Sequence, residues 1–501
     1  MRLVLVNPSF QQRIRRIAQT TVGPPLGLAY LAAAAREAGH DPRIVDANAL
    51  GLNEAATVLA VLADAPRVVG ITATTPTFPA AGRLAAALKR ERPDLTVLVG
   101  GPHTTALPAR SLAEHPAIDA VARGEAERTL PAVLAAIEAG GGPGGSGLVG
   151  GGLAEVPGVA FRRPDGTVTD TGVAPTIEDL DSIPVPARDL LPMRRYRSVD
   201  SDRFTTLLAM RGCPCKCVYC AVPPVFGRRM RYRSPGRVAA EMLAVRAEFG
   251  TDFFSFVDDT FTTKREWVEE FCEALGAGSG TGEIRWICLT RADMVDEALL
   301  RRMRAAGCVR VEFGIESGSA TGRAFLKKGL SETSIVSAFE AARAAGLSTM
   351  GFAMLNVPGE GEADVAATFD LVRRADPDFL QVSFMTPYPG TPLWDWARER
   401  GLVATEDWER YVFLREVVLR NETMTPEQLQ AQYARLVRWF WLRPATAMNL
   451  IRLVLSRKSA AASLGRTIRL GLAALVPWRG EPGPARDDAG PGRGRGGRDG
   501  G

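Results

Sequence analysis

A chain of 501 residues is too long for one ordinary hydrophobic core and implies two or three domains with tails. Its 46% hydrophobic and 23% charged residues are typical of a globular protein, and a formal net charge of only +5 makes no case for nucleic acid as a partner. No charge-free apolar run approaches the ~20 residues that span a bilayer.

The opening MRLVLVNPSF reads as a first strand over residues 3–6, because Asn7 and Pro8 end the apolar run too early for a signal peptide. A helix over 26–38, a strand over 68–73, a helix over 80–91, strands over 95–99 and 118–122 and a helix over 125–139 follow. Apolar strands separated by helices predict an α/β domain over residues 1–139: a Rossmann-like, doubly wound parallel sheet. Ligands bind such a sheet beyond the carboxyl ends of its strands. The loops there are Asn7-Pro8-Ser9, residues 72–77, Gly100-Gly101-Pro102-His103 and Arg123-Gly124-Glu125.

Residues 140–198 read as a glycine-rich linker and connector, with a hairpin around Pro164-Asp165-Gly166. A second βα series then begins, with strands predicted at 205–209, 253–257, 284–289, 309–313, 350–355 and 379–384. Helices such as 266–275 and 297–306 lie between them. Six such units predict a (βα)6 partial TIM barrel over 199–402, with its site at the carboxyl ends of the strands. Residues 403–478 turn helical. Within 445–478, apolar residues alternate with Arg452, Arg457, Lys458, Arg466 and Arg469, a pattern that suits a cap over the barrel or a peripheral membrane contact. The tail 479–501, mostly Gly, Pro, Arg and Asp, is predicted to be disordered.

Seven cysteines fall unevenly: none precedes Cys213 and four crowd into residues 213–220. Crowding points to metal or cluster ligation in a reducing cytoplasm rather than to disulfides. Cys213, Cys217 and Cys220 form C-x3-C-x2-C directly after the first barrel strand. Three closely spaced thiolates can hold three irons of a [4Fe–4S] cubane and leave the fourth open to chelate a substrate. Four neighbouring cysteines also permit a structural zinc site, but the run is tighter than paired C-x2-C knuckles, which favours the cluster and leaves Cys215 a bystander.

With this spacing in this loop, the sequence resembles the radical S-adenosylmethionine superfamily over about residues 203–402. The resemblance implies that S-adenosylmethionine chelates the open iron and is split to a 5′-deoxyadenosyl radical, with Tyr219 beside the adenine. It implies an external electron donor such as ferredoxin or flavodoxin. Asp258, in the pair Asp258-Asp259 after the second strand, is the candidate acceptor for the methionine ammonium, and Arg291 is a candidate for its carboxylate. Gly314 would let a ligand approach the backbone, and Glu316 and Ser317 would bond ribose hydroxyls. The run Asn356-Val357-Pro358-Gly359-Glu360 departs from the family, which usually has Gly at 356 and Thr at 361.

The front domain resembles the cobalamin-binding module of the B12-dependent radical subfamily, through Pro24-Pro25-Leu26-Gly27, Gly100-Gly101-Pro102-His103 and Arg123-Gly124-Glu125. Thr72, Thr74, Gly100, Gly101, His103, Gly124 and Glu125 are the candidate cobalamin contacts. No D-x-H-x-x-G run is present, so no protein histidine is expected on cobalt. A nucleotide site would call for G-x-G-x-x-G after the first strand, which leads instead into Asn7-Pro8-Ser9. Together the two resemblances imply a methyltransferase of class B radical type, which methylates an unactivated carbon of a small-molecule or lipid-like substrate. A ring-forming radical cyclase shares the layout. A zinc- or cobalamin-binding sensor is the alternative from outside enzymology.

Overall fold

The computed structural model describes residues 1–9, 21–140, 152–163, 165–277, 284–414, 416–446 and 448. The tail 479–501 and nearly all of the basic stretch 445–478 lie outside the described residues.

Five parallel strands build the front sheet: β1 (Arg2–Asn7), β2 (Asp41–Asp46), β3 (Val68–Thr72), β4 (Thr96–Gly100) and β5 (Ala120–Ala122), in the order β2-β1-β3-β4-β5. Leu3, Val4, Leu5 and Val6 are all buried. Because strand side chains alternate, Val4 and Val6 join one core with Phe78 and Leu84, while Leu3 and Leu5 join another with Leu28 and Leu134. Both faces are covered, as the continuous apolar run predicts. β2 was not legible in advance: it reads Asp41-Pro42-Arg43, and it stands at the sheet edge, where a proline costs no ladder bond.

The connector contributes β6 (Val159–Arg162) and β7 (Val168–Asp170), an antiparallel hairpin that adds to β5 and makes the sheet seven-stranded. The second domain follows. Its strands β8 (Phe204–Leu207), β11 (Phe253–Phe256), β12 (Arg285–Thr290), β13 (Cys308–Glu316), β14 (Ser348–Leu355) and β15 (Phe379–Phe384) are parallel and adjacent in that order. They form an open six-stranded partial barrel over an aromatic core that includes Phe256, Phe261, Phe271 and Trp286. A small antiparallel pair, β9 (Met210–Arg211) and β10 (Arg231–Tyr232), brackets the cysteine loop.

Beyond the barrel the chain returns to the front domain, where Trp408, Tyr411 and Val418 join the core of Phe78, Leu112 and Val121. The helix Pro426–Trp441, with a Thr425–Gln428 capping box, then packs Leu429, Leu436 and Val437 against Phe384 and Val382 of β15. No helix among the described residues is long and apolar enough to cross a membrane.

Candidate active site

The cysteine loop leaves β9 through Gly212, whose φ of +90° and close approach to the Arg229 carbonyl (a Cβ would stand 2.2 Å from it) require glycine. Cys213 is buried, and Cys215, Cys217 and Cys220 are half-buried. Burial pushes the Cys220 thiol up to about 12 and raises that of Cys217, and each responds to the charge of Cys213. Cys217 also feels the cations Lys328 and Arg291, which favour its thiolate. No three His, Cys, Asp or Glu side chains among the described residues converge closely enough to hold a metal as they stand. The three soft thiols on one loop, mutually sensed and backed by two cations, nevertheless form a donor set suited to an iron–sulfur cluster.

Around them stand residues from the ends of β12 and β13. The Tyr219 hydroxyl donates to Glu316 at 3.0 Å, and Lys328 pairs with the same carboxylate at 2.6 Å and with the Gly314 carbonyl at 3.2 Å. A Cβ on Gly314 would collide with Lys328 Nζ at 2.0 Å, so the glycine makes room for this cluster. Glu316 itself has φ +60°, a strained value that turns its side chain at the strand end. Arg291 holds Asp293 through two bonds and donates to the Lys328 carbonyl at 2.9 Å. Lys328 was not singled out in the sequence: it follows the helix Ala320–Leu326 with no motif to mark it.

Two expectations are corrected here. The Asp258 carboxylate is buried, does not line the cavity and accepts the backbone N–H groups of Ala209 and Met210, at 2.9 and 2.5 Å, so it fixes the entry to the cysteine loop. Its neighbour Asp259 instead lines a cavity and lies within electrostatic reach of Cys220, with burial pushing its carboxyl up to about 6. The Ser317 hydroxyl is engaged elsewhere: it donates to the buried Glu360, which also accepts from Ser319 at 2.7 Å. The departure at Asn356 has a backbone cause. Its φ is +67°, a region where glycine or asparagine is tolerated, and its amide donates to the Leu419 carbonyl at 2.9 Å.

The cavity holding Asp259 has a volume of about 510 Å³ and lies between the two domains. Thr72, Gly100, Gly101, Gly124 and Glu125 line its front side, at the carboxyl ends of β3, β4 and β5. Leu208, Arg211, Ala221, Val222, Phe226 and Val257 line the opposite side. A Cβ on Gly27 would meet nothing within 4 Å, so glycine there leaves room for a bulky ligand. Glycines and apolar walls at these strand ends fit a flat macrocycle. A larger groove of about 670 Å³, between Ile183–Pro186 and the helix Pro235–Phe249, contains none of the cysteines.

Thr74 and His103 do not line the cavity. Thr74 bonds Thr77 in a local turn, at 3.0 Å between hydroxyls. His103 is fully buried, stacked on Phe78 at 4.2 Å and edge-on to Trp408 at 5.0 Å, and burial lowers its pKa to about 3. The other histidines, His40 and His115, are also absent from the cavity wall. Glu125 lines the wall, but its carboxylate is taken by Arg211 at 2.9 Å and by Arg231.

Residues 13–134 match the family model of the B12 binding domain, and residues 207–372 that of the radical SAM superfamily. The chain is 34% identical to an uncharacterised methyltransferase of Pyrococcus horikoshii, over 89% of this chain and 93% of that protein. It is 28% identical to the anaerobic magnesium-protoporphyrin IX monomethyl ester cyclase of Synechocystis, over 80% of this chain and 78% of that protein. Among solved structures, the radical S-adenosylmethionine methyltransferase TsrM of Kitasatospora setae superposes with a TM-score of 0.71 at 18% identity, over 94% of this chain and 99% of that one. The predicted order, a doubly wound domain and then a partial barrel, is the order found.

Proposed function

The chain belongs to the radical S-adenosylmethionine enzymes that carry a B12-binding domain, and on that premise we propose that it is a cobalamin-dependent methyltransferase acting on an unactivated carbon of a small-molecule or lipid-like substrate. One observation carries the reading: Ala221 and Val222, directly after Cys220, wall the same cavity as Gly100 and Gly101 of the front sheet. A ligand on that sheet and a cluster on the cysteine loop would therefore face a common space.

When bound, the cluster with S-adenosylmethionine supplies a 5′-deoxyadenosyl radical and cobalamin supplies the methyl group, a combination suited to alkyl carbons that no side-chain base can deprotonate. Cys213, Cys217 and Cys220 would hold three irons. Asp259 would accept from the methionine ammonium, and Glu316, oriented by Tyr219 and Lys328, would bond the ribose. Leu208, Val222, Val225, Phe226 and Val257 give the shared space an apolar wall. The required electron comes from outside, from a carrier such as ferredoxin or flavodoxin. All seven cysteines are free, which suits a reducing cytoplasm.

The 28% identity to the ring-forming cyclase supports a second reading without methyl transfer. Anaerobic reconstitution with iron, sulfide and hydroxocobalamin, followed by S-adenosylmethionine and reductant, tests the assignment. About four irons per chain, as one cubane requires, and 5′-deoxyadenosine are expected. Cys217→Ala should yield neither, and undiminished nucleoside from that variant would refute the radical reading. Product mass separates the two chemistries: a gain of one methyl against none.

A further inference from the structure

Two arginines, Arg211 on β9 and Arg231 on β10, stand opposite each other in the antiparallel register of the pair that brackets the cysteine loop. Both are buried, with side chains 4% and 2% exposed. Like charges so placed destabilise the hairpin unless carboxylates intervene. The carboxylates come from the other domain. Glu125 takes Arg211 and Arg231 together, and Glu127 takes the second arm of Arg211. Glu125 also accepts the Ile177 amide at 3.3 Å, and Arg231 donates to the Ile177 carbonyl at 2.7 Å, which ties the connector into the same knot. The guanidinium of Arg211 lies 5.4 Å from the centre of the Phe226 ring and 5.7 Å from that of Tyr30.

This knot has a particular position. Arg211, Glu125, Glu127, Tyr30 and Phe226 all line the 510 Å³ cavity, and Arg211 is two residues before Cys213. A group that fills the cavity presses on the same side chains that set where the cysteine loop begins. On the reading given above, we propose that the Glu125–Glu127–Arg211–Arg231 network couples the two cofactor sites, with Arg211 as a positioning residue that transmits occupancy of the cobalamin cavity to the S-adenosylmethionine site. Binding at either site then alters affinity at the other by the same factor, as thermodynamic linkage demands.

The test is binding, not turnover. The cobalamin Kd of the reconstituted enzyme is measured by absorbance with and without saturating S-adenosylmethionine. In the wild type the two values should differ at least 5-fold. The charge-balanced variant Glu127→Gln with Arg211→Gln keeps Glu125 opposite Arg231, so the buried charge stays neutral and iron content should hold. Its two Kd values should agree within 2-fold, whatever their absolute level. A merely structural role would shift both values together and keep the ratio. A retained ratio in the variant, or equal values in the wild type, overturns the proposal. Should the double variant not fold, Glu127→Asp, which keeps the charge but shortens the tether, should still reduce the ratio. A wild type that binds no cobalamin or builds no cubane would sink the functional reading itself, which is a different result.

Discussion

At the scale of single residues, the adjacent aspartates divide their labour by what surrounds them. Asp258 accepts three contacts from two backbone amides, whereas Asp259 points into the shared cavity with its carboxyl pushed up to about 6 by burial. An ammonium ligand needs the ionised form, so S-adenosylmethionine binding should weaken as pH falls through about 6. Asp259→Asn should abolish that dependence and raise KM for S-adenosylmethionine by roughly 10-fold or more, the worth of a charge-assisted bond. A pH series of KM for both proteins checks this. His103 makes a second case. Its pKa is lowered by burial from the ordinary 6.5 to about 3, so the unfolded chain takes up a proton that the folded chain refuses. Its contribution to stability is complete above about 6.5 and declines as pH falls, by roughly 2 kcal/mol at pH 5. His103→Phe, which keeps a ring between Phe78 and Trp408, should flatten the fall in denaturation midpoint between pH 7 and 5. The same variant should leave the electron paramagnetic resonance spectrum of bound cob(II)alamin unchanged, because the ring does not line the cavity.

Among the elements, the turn from β4 into the helix Pro102–Ala106 is the most constrained part of the cobalamin side. Gly101 has φ +127°, and a Cβ there would stand 2.3 Å from the Ala73 carbonyl oxygen, whose own residue donates to the Gly100 carbonyl at 2.8 Å. Gly101→Ala should therefore cost about 2 kcal/mol or more through backbone strain and weaken cobalamin binding, seen as a lower Tm and a higher Kd. The strands were largely legible beforehand because most are predominantly apolar runs between turn signals; β15 falls on the predicted residues 379–384. β2 escaped because an edge strand has only half a core to satisfy. The thiol trio was legible because its chemistry depends on local spacing. Their surroundings were only partly legible: the Asp258-Asp259 pair marks itself but not which carboxylate faces the cavity, and Lys328 and the Glu127–Arg211 pairing are brought in by tertiary packing that leaves no period in the chain. His103 misled for the complementary reason: a histidine in a glycine loop looks like a cofactor-pocket contact until the neighbouring Phe78 and a tryptophan 305 positions later enclose it.

For the whole molecule, the salient fact is that the front domain borrows its last wall. Trp408 packs with Phe78 and His103's helix, its indole N–H donates to Glu114 at 3.0 Å, and Arg110 lies 4.5 Å from its ring centre. Arg83 and Arg110 of the front domain bind Glu409 and Glu406 across the same seam, at 2.7 and 2.8 Å. Trp408→Ala should cost about 3–5 kcal/mol, the usual range for emptying a buried aromatic site. The loss should appear as a lower midpoint for the entire protein in denaturant titration. A fragment ending at residue 139 should melt far below the full chain, since it exposes the face that Trp408, Tyr411 and Val418 cover. Synthesis on the ribosome inherits a timing problem from this arrangement. The first sheet emerges early, yet its closing aromatic residues are translated some 270 codons later, a wait on the order of tens of seconds at ordinary elongation rates. Throughout that interval the nascent chain carries an uncovered apolar face, which makes it a natural client for chaperones that bind such surfaces.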